Sequence, residues 1–85
     1  MPYQIIIERT ARKNIEKINK AERVLIVQAI AELSDEPRPI GCKKLKGRAA
    51  WRIRVGDYRV IYEVEDDVLV VTIITAGHRR DVYNK

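Results

Sequence analysis

Apolar and polar residues alternate most clearly in residues 51–62, where the chain reads WRIRVGDYRVIY. A period of two is typical of a β-strand with one buried and one exposed face. Gly56 and Asp57 interrupt the alternation and fit the two-residue loop of a type II′ hairpin. A hairpin with this loop pairs Val55 with Tyr58, and the register then follows along both strands to residues 51 and 62.

This register gives the predicted hairpin one apolar face and one cationic face. Arg52, Arg54 and Arg59 share the cationic face, with Arg54 directly opposite Arg59. Like charges directly across a strand pair destabilise a sheet, so stability alone gives no reason for this arrangement. Two interpretations remain open: a solvated surface, or a site for an anionic ligand whose phosphate oxygens accept hydrogen bonds from the guanidinium groups.

The N-terminal segment predicts a strand followed by a helix. Residues 3–8 (YQIIIE) are a short β-branched run, which indicates a strand. Thr10 is expected to cap the helix, because its hydroxyl can accept a hydrogen bond from a backbone amide of the first turn. Ala11, Ile15 and Ile18 then fall at the i, i+4 and i+7 positions of one apolar stripe.

A second helix is predicted from residue 20 to residue 33, with Asn19 as the break and cap before it. It has two apolar sides: a broad one at Leu25, Ile26, Ala29, Ile30 and Leu33, and a second at Val24, Val27 and Ala31. In so small a protein we expect this helix to be sandwiched between the sheet and the first helix. The alternative is that the second side stays open for a partner.

Residues 68–76 (VLVVTIITA) are the best candidate for a central strand, because they form a long run of mainly β-branched residues. A turn at residues 65–67 joins this strand to the hairpin. The order β-α-α-β-β-β predicts an α+β fold in a small single domain spanning residues 1–85. We expect an antiparallel twisted sheet of about four strands, with two helices packed on its apolar face and the cationic face left open.

Length and composition limit the classes of function. The chain has 85 residues, of which 46% are hydrophobic and 34% charged, which is typical of one folded domain. No apolar run reaches the roughly 18 residues of a membrane span, so we expect no membrane association. A lone cysteine, Cys42, fits a reducing cytoplasm, and with a lone histidine it cannot form a zinc site. We expect neither a metal nor another cofactor.

The formal net charge is +5, and the cations are concentrated in one stretch. Between residues 43 and 59 the only acid is Asp57, whereas the cations are Lys43, Lys44, Lys46, Arg48, Arg52, Arg54 and Arg59. A basic surface on a small domain is typical of nucleic-acid binding, although an acidic protein would fit it equally well. If the ligand is RNA, we expect its backbone to contact Lys43, Lys44, Lys46 and Arg48.

The C-terminal segment adds groups that can transfer protons. If the strand at residues 68–76 pairs with the hairpin and no bulge shifts the register, His78, Arg79 and Tyr83 arrive beside Arg54 and Arg59. Arginines can stabilise the negative charge of a phosphorane, and a tyrosine or histidine can move protons. These groups suit metal-independent cleavage of RNA, in which a ribose 2′-hydroxyl attacks its own phosphate.

Three segments, KLKG, WRIRVGDYRVIYEV and GHRRDVY, resemble the RelE/ParE superfamily of toxins, and its RelE-like branch in particular. The resemblance implies a type II toxin that acts as a ribosome-dependent endoribonuclease. It would cut messenger RNA in the decoding site, beside the 16S ribosomal RNA, and a cognate acidic antitoxin would hold it inactive. The matching positions imply a catalytic set of Arg52, Arg54, Arg59, His78, Arg79 and Tyr83.

The family pattern has lysines where this chain has Arg52 and Arg54. Because the pKa of arginine is above about 12, neither residue can readily act as a general base. The resemblance therefore assigns proton removal to Tyr83 or His78, and leaves charge stabilisation to the arginines. Two alternatives remain: a ParE-like inhibitor of DNA gyrase, and a module that binds RNA or the ribosome without cutting.

Overall fold

The structure is a computed structural model that describes residues 2–78. Its elements are β1 (Gln4–Ile7), α1 (Arg9–Glu16), α2 (Lys20–Glu32), β2 (Lys43–Lys44), β3 (Trp51–Val55), β4 (Tyr58–Glu65) and β5 (Val70–His78). The strands form one sheet in the order β1-β5-β4-β3-β2. Neither helix in this part of the chain has the length and apolar character that crossing a membrane requires.

The α+β class with two helices on one face of a small sheet is confirmed, and β5 is an interior strand, between β1 and β4, as predicted. Two details differ from the expected four-stranded antiparallel sheet. β1 runs parallel to β5, with Gln4 beside Val70, because the chain passes through all the other elements before it returns in the same direction. The fifth strand, β2, was not predicted, since two residues are too few to show a period.

The β3–β4 hairpin has the predicted register at all five pairs. Trp51 pairs with Tyr62, Arg54 with Arg59, and Val55 with Tyr58. Gly56 has φ of +61°, in the left-handed region, as the first loop residue of a type II′ turn requires. The loop therefore fixes which residues of both strands face the helices.

A β-bulge interrupts the pairing of β4 with β5. Ile61 pairs with Thr75, whereas the next residue of β4, Tyr62, pairs with Ile73. β5 therefore has one extra residue, and every later position is shifted by one relative to its partner. Because side chains alternate between faces, the side chains at the end of β5 point to the opposite face of the sheet from the one that an uninterrupted strand would give.

Of the two predicted helix caps, one is present in the structure and the other is not. Asn19 caps α2 as predicted, with its side-chain oxygen accepting a hydrogen bond from the Glu22 amide at 3.0 Å. The prediction for Thr10 is wrong, since α1 begins at Arg9 and the capping position is Glu8, whose side chain makes no capping hydrogen bond. The Glu8 amide instead donates to the carbonyl oxygen of Ile73, so continuation of the sheet sets the start of α1.

The core lies between the helices and the sheet. The predicted stripe of α1 is buried, and the largest fully buried side chains are Tyr62, Ile26, Leu33, Ile73, Val60 and Val71. The expectation that α2 is sandwiched on both sides is wrong. Val24, Leu25 and Val27 are 46%, 56% and 49% exposed, because α1 packs along β5 and leaves the outer side of α2 uncovered.

Asn14 of α1 takes the place of a neighbouring strand along part of β5. The strand β1 ends at Ile7, opposite Ile73, so the backbone of β5 beyond that point has no partner strand on this side. There the side-chain amide of Asn14 is hydrogen-bonded to the Thr75 hydroxyl at 2.9 Å and to the backbone of Ala76. This contact fixes α1 against the outer edge of β5.

A surface network at one end of the sheet joins the start of β1, the β4–β5 turn and the start of β3 to the loop after α2. The Arg38 guanidinium donates two hydrogen bonds to the Asp66 carboxylate, at 3.1 and 2.9 Å, and lies 5.0 Å from the Trp51 ring centroid. The Tyr3 hydroxyl donates to the same carboxylate at 2.7 Å. Arg38, and then Tyr3, lower the pKa of Asp66, and the hydrogen bond to Asp66 raises the pKa of Tyr3.

These two shifts predict a loss of stability at both ends of the pH scale. The ionised Asp66 carboxylate stabilises the folded state above the pKa that it has in the unfolded chain, about 4. This stabilisation is lost as the pH falls through its lower pKa in the folded state. The protonated Tyr3 hydroxyl stabilises the folded state below about pH 10, the pKa that it has in the unfolded chain. This stabilisation is lost as the pH rises through its higher pKa in the folded state. Urea unfolding of Asp66→Asn across this range should show a flatter profile than the wild type. The matched control is Asp67→Asn, and an equal flattening in that variant would contradict the assignment.

Candidate functional site

The sheet face opposite the helices carries the cationic cluster. Lys43 pairs with Arg52, and Arg54 pairs with Arg59, so these four side chains share one face, since residues directly opposite in an antiparallel pair point to the same side. We call this the arginine face, defined by Lys43, Arg52, Arg54 and Arg59. In the next strand Gly77 pairs with Arg59, so no side chain from that position covers the face.

The residues of the arginine face differ in exposure. Arg54 is exposed and Arg59 is half-buried, but Arg52 is only 8% exposed, which corrects the expectation of a uniformly open face. Arg52 is less accessible because it lies between β2 and β4, directly opposite the buried Ile61. Its Nε is buried and has no hydrogen-bond partner among the residues described. A buried donor of this kind is unfavourable until an acceptor reaches it.

His78 does not join the arginine face. It pairs directly with Tyr58, which belongs to the helix-facing side of the hairpin, and the two rings meet edge to face with centroids 5.9 Å apart. The prediction that His78 lies beside Arg54 and Arg59 is therefore wrong. The cause is the bulge in β5, which shifts the strand by one residue before it reaches His78.

The remaining predicted residues divide into three groups. Arg79 and Tyr83 lie outside the described residues, so their roles stay predictions. Lys44 pairs with Trp51 and so belongs to the helix-facing side, unlike its neighbour Lys43. Lys46 and Arg48 are exposed in the loop between β2 and β3, at the opposite end of β3 from the hairpin turn.

A groove along β3 was not expected from the sequence. Because β2 pairs with only the first two residues of β3, the edge of β3 from Ile53 onward is open beside α2. The groove has a volume of about 490 Å³ and is lined by Ala29, Glu32, Leu33, Glu36, Pro39, Ile40, Gly41, Lys43, Arg52, Ile53 and Arg54. It adjoins the arginine face and α2, and the second apolar side of α2 was the one sequence signal for a surface in this region.

Comparison with known proteins identifies the family. The family model for the ParE toxin of type II toxin–antitoxin systems matches residues 5–83. The toxin RelG of Mycobacterium tuberculosis is 33% identical over 88 residues, covering 100% of both chains. The chain belongs to the RelE/ParE toxin family. The mRNA interferase toxin RelE of Escherichia coli is 29% identical, over 100% of this chain and 94% of that protein.

Solved structures of RelE toxins have the same fold. The RelE–RelB complex of Pyrococcus horikoshii contains a chain that superposes with a TM-score of 0.83 at 30% identity, covering 95% of this chain and 99% of that one. The isolated RelE toxin of Escherichia coli gives a TM-score of 0.78 at 28% identity, covering 95% and 90%. These likenesses make the protein a RelE-like toxin of a type II module, as the sequence motifs indicated.

Proposed function

We propose that this toxin cleaves messenger RNA on the ribosome, by attack of a ribose 2′-hydroxyl on the adjacent phosphate. The observation that carries the proposal is the direct pairing of Arg54 with Arg59 on a sheet face turned away from the core. Two cationic residues directly opposite each other in a strand pair destabilise the sheet, and a phosphate bound by both would offset that cost. The mRNA interferase RelE of Escherichia coli, 29% identical, supports the same class of reaction.

In this mechanism the arginines bind charge and do not move protons. Arg54 and Arg59 hold the non-bridging oxygens of the scissile phosphate, and Arg52, mostly buried on the same face, adds positive charge where the phosphorane gains negative charge. As the O2′–P bond forms and the P–O5′ bond breaks, the departing 5′-oxygen takes up a proton from water, and the products are a 2′,3′-cyclic phosphate and a 5′-hydroxyl end. The reaction needs no metal ion to neutralise the phosphate, because guanidinium groups serve that purpose.

The proton of the 2′-hydroxyl needs an acceptor that the arginines cannot supply, since their pKa values are too high. His78 is turned to the helix-facing side, against Tyr58, and is therefore not the group we choose. We assign proton removal to Tyr83, the position that matches the terminal tyrosine of the family. Arg79 is assigned to the phosphate, together with Arg54 and Arg59.

The cognate antitoxin is proposed to cover the outer side of α2. Val24, Leu25 and Val27 expose apolar side chains there, and an apolar surface of this kind fits a protein partner. The similar chain from Pyrococcus horikoshii was solved as a RelE–RelB complex. An acidic segment of the antitoxin would continue from α2 through the groove beside β3 to the arginine face, and so block access of RNA.

Induced expression tests the proposed function. Protein synthesis should stop before DNA synthesis, and mapping of messenger RNA 5′ ends should show new ends within coding regions soon after induction. The matched control is Arg59→Ala, which should produce neither effect at the same protein level. Arrest of DNA synthesis first, with no new RNA ends, would contradict the proposal and favour inhibition of gyrase, the alternative that the ParE branch of the family offers.

A further inference from the structure

The exposed side of α1 carries a second cationic surface, on a different element from the arginine face. Arg9, Arg12 and Lys13 are all exposed, and Arg12 and Lys13 follow Arg9 by three and four residues, on the adjacent turn of one helix. A shallow groove of about 380 Å³ runs along this side and is lined by Ile7, Arg9, Arg12, Lys13 and Glu16.

Arg9 is placed where it does not stabilise the helix, whereas Lys13 lies in the last turn of α1, where a cation is favourable. The N-terminus of a helix carries partial positive charge, so acidic residues are favoured in its first turn and basic ones are not. The first turn of α1 contains no acid and begins with Arg9, and like charges three or four residues apart repel each other. Within residues 2–78 none of Arg9, Arg12 and Lys13 forms an ion pair, although the Glu16 carboxylate lines the same groove.

The chemistry of this surface fits a nucleic-acid backbone better than a protein. None of the large apolar side chains exposed in the described part of the chain lies on α1, whereas Val24, Leu25 and Val27 of α2 are exposed together. Protein interfaces depend on buried apolar and aromatic anchors, while nucleic-acid interfaces are more polar and strongly cationic. The two helices therefore present surfaces suited to different kinds of partner.

The position of α1 relates its cations to the arginine face. Asn14 contacts Thr75 and Ala76, which places α1 along β5 at the end of the sheet where Arg59 pairs with Gly77. We infer that Arg9, Arg12 and Lys13 form a second RNA-contact surface, which holds backbone phosphates outside the linkage bound at the arginine face. This inference rests on the proposed function, because it takes RNA on the ribosome to be the target.

The test measures binding of the full-length toxin to 70S ribosomes programmed with a messenger RNA, over a series of KCl concentrations. In Arg12→Gln/Lys13→Gln the affinity at low salt should fall about tenfold, and the slope of log affinity against log salt should become shallower by roughly 1.4, as expected for two lost phosphate contacts. The matched control is Ala21→Glu/Gln28→Glu, which makes the same change in net charge at exposed positions of α2. Its affinity should stay within about twofold of the wild type.

Cleavage and antitoxin binding, read from the same proteins, separate the possible outcomes. Cleavage at saturating toxin and the affinity for the antitoxin should be unchanged in Arg12→Gln/Lys13→Gln, because neither residue lies on the arginine face or on α2. The inference would be overturned if Arg12→Gln/Lys13→Gln bound ribosomes as tightly as the wild type, or if the control variant lost as much ribosome affinity. It would also be overturned if Arg12→Gln/Lys13→Gln lost affinity for the antitoxin only. Wild-type toxin that binds ribosomes without cutting would instead overturn the proposed function, and the binding comparison would still decide the role of α1.

Discussion

Replacing Arg54 by glutamine should abolish most of the cleavage activity while making the protein more stable. Loss of one cationic donor to the transition state is expected to lower the cleavage rate about 10²- to 10³-fold. The same change removes the repulsion between Arg54 and Arg59, which are directly paired, and should raise the free energy of unfolding by about 0.2–1 kcal/mol. Single-turnover cleavage on programmed ribosomes and urea unfolding measure the two effects.

The control for this variant is Arg23→Gln, which removes the same charge from α2, outside the arginine face. Arg23 donates a long hydrogen bond of 3.4 Å to the carbonyl oxygen of Glu16, and its loss should leave cleavage within about twofold of the wild type. If Arg54→Gln were less stable than the wild type and still fully active, the arginine face would be a structural feature and not a phosphate site.

Replacing Ile26 by alanine should greatly reduce the stability of the fold. Ile26 is fully buried between α2 and the sheet, and truncation of such a side chain costs about 2–5 kcal/mol. In a domain of this size each kcal/mol lowers the melting temperature by about 4–8 °C. Thermal unfolding followed by circular dichroism should therefore show a large downward shift.

Leu25 is the matched control, since it precedes Ile26 in the same helix and is of the same size. It is 56% exposed, so Leu25→Ala should change the free energy of unfolding by no more than about 0.5 kcal/mol. If the antitoxin covers α2, this variant should instead bind the antitoxin more weakly. Equal destabilisation by the two substitutions would mean that the outer side of α2 is packed against something in the free protein.

The sequence was sufficient to predict the hairpin and most of the buried side of α2, because both depend on local patterns. Leu25, which was predicted on that side, is 56% exposed. The loop at Gly56 fixes the register of β3 and β4, and a buried stripe that repeats with the period of a helix can be recognised from the sequence alone. The face shared by Arg52, Arg54 and Arg59 follows from that register, so the centre of the candidate site was predictable as well.

The features that the sequence did not reveal depend on contacts between distant segments. Nothing near Thr75 marks a bulge, yet the bulge decides on which face His78 lies. Similarly, α1 begins at Arg9 because the sheet holds Glu8 in place, which overrides the capping preference of Thr10. The burial of Arg52 depends on β2, a strand too short to leave a pattern.

The contact between Asn14 and β5 has a consequence for the energetics of RNA recognition. If α1 moved away from the sheet, the backbone of Ala76 would lose its hydrogen bond to the Asn14 side chain, so displacement of the helix costs free energy. The cations of α1 and those of the hairpin are therefore held at a set separation before any ligand arrives. A long polyanion that spans both surfaces would bind with little loss of the protein's conformational entropy. Once it is bound at one surface, its contact with the other would form at a high effective concentration.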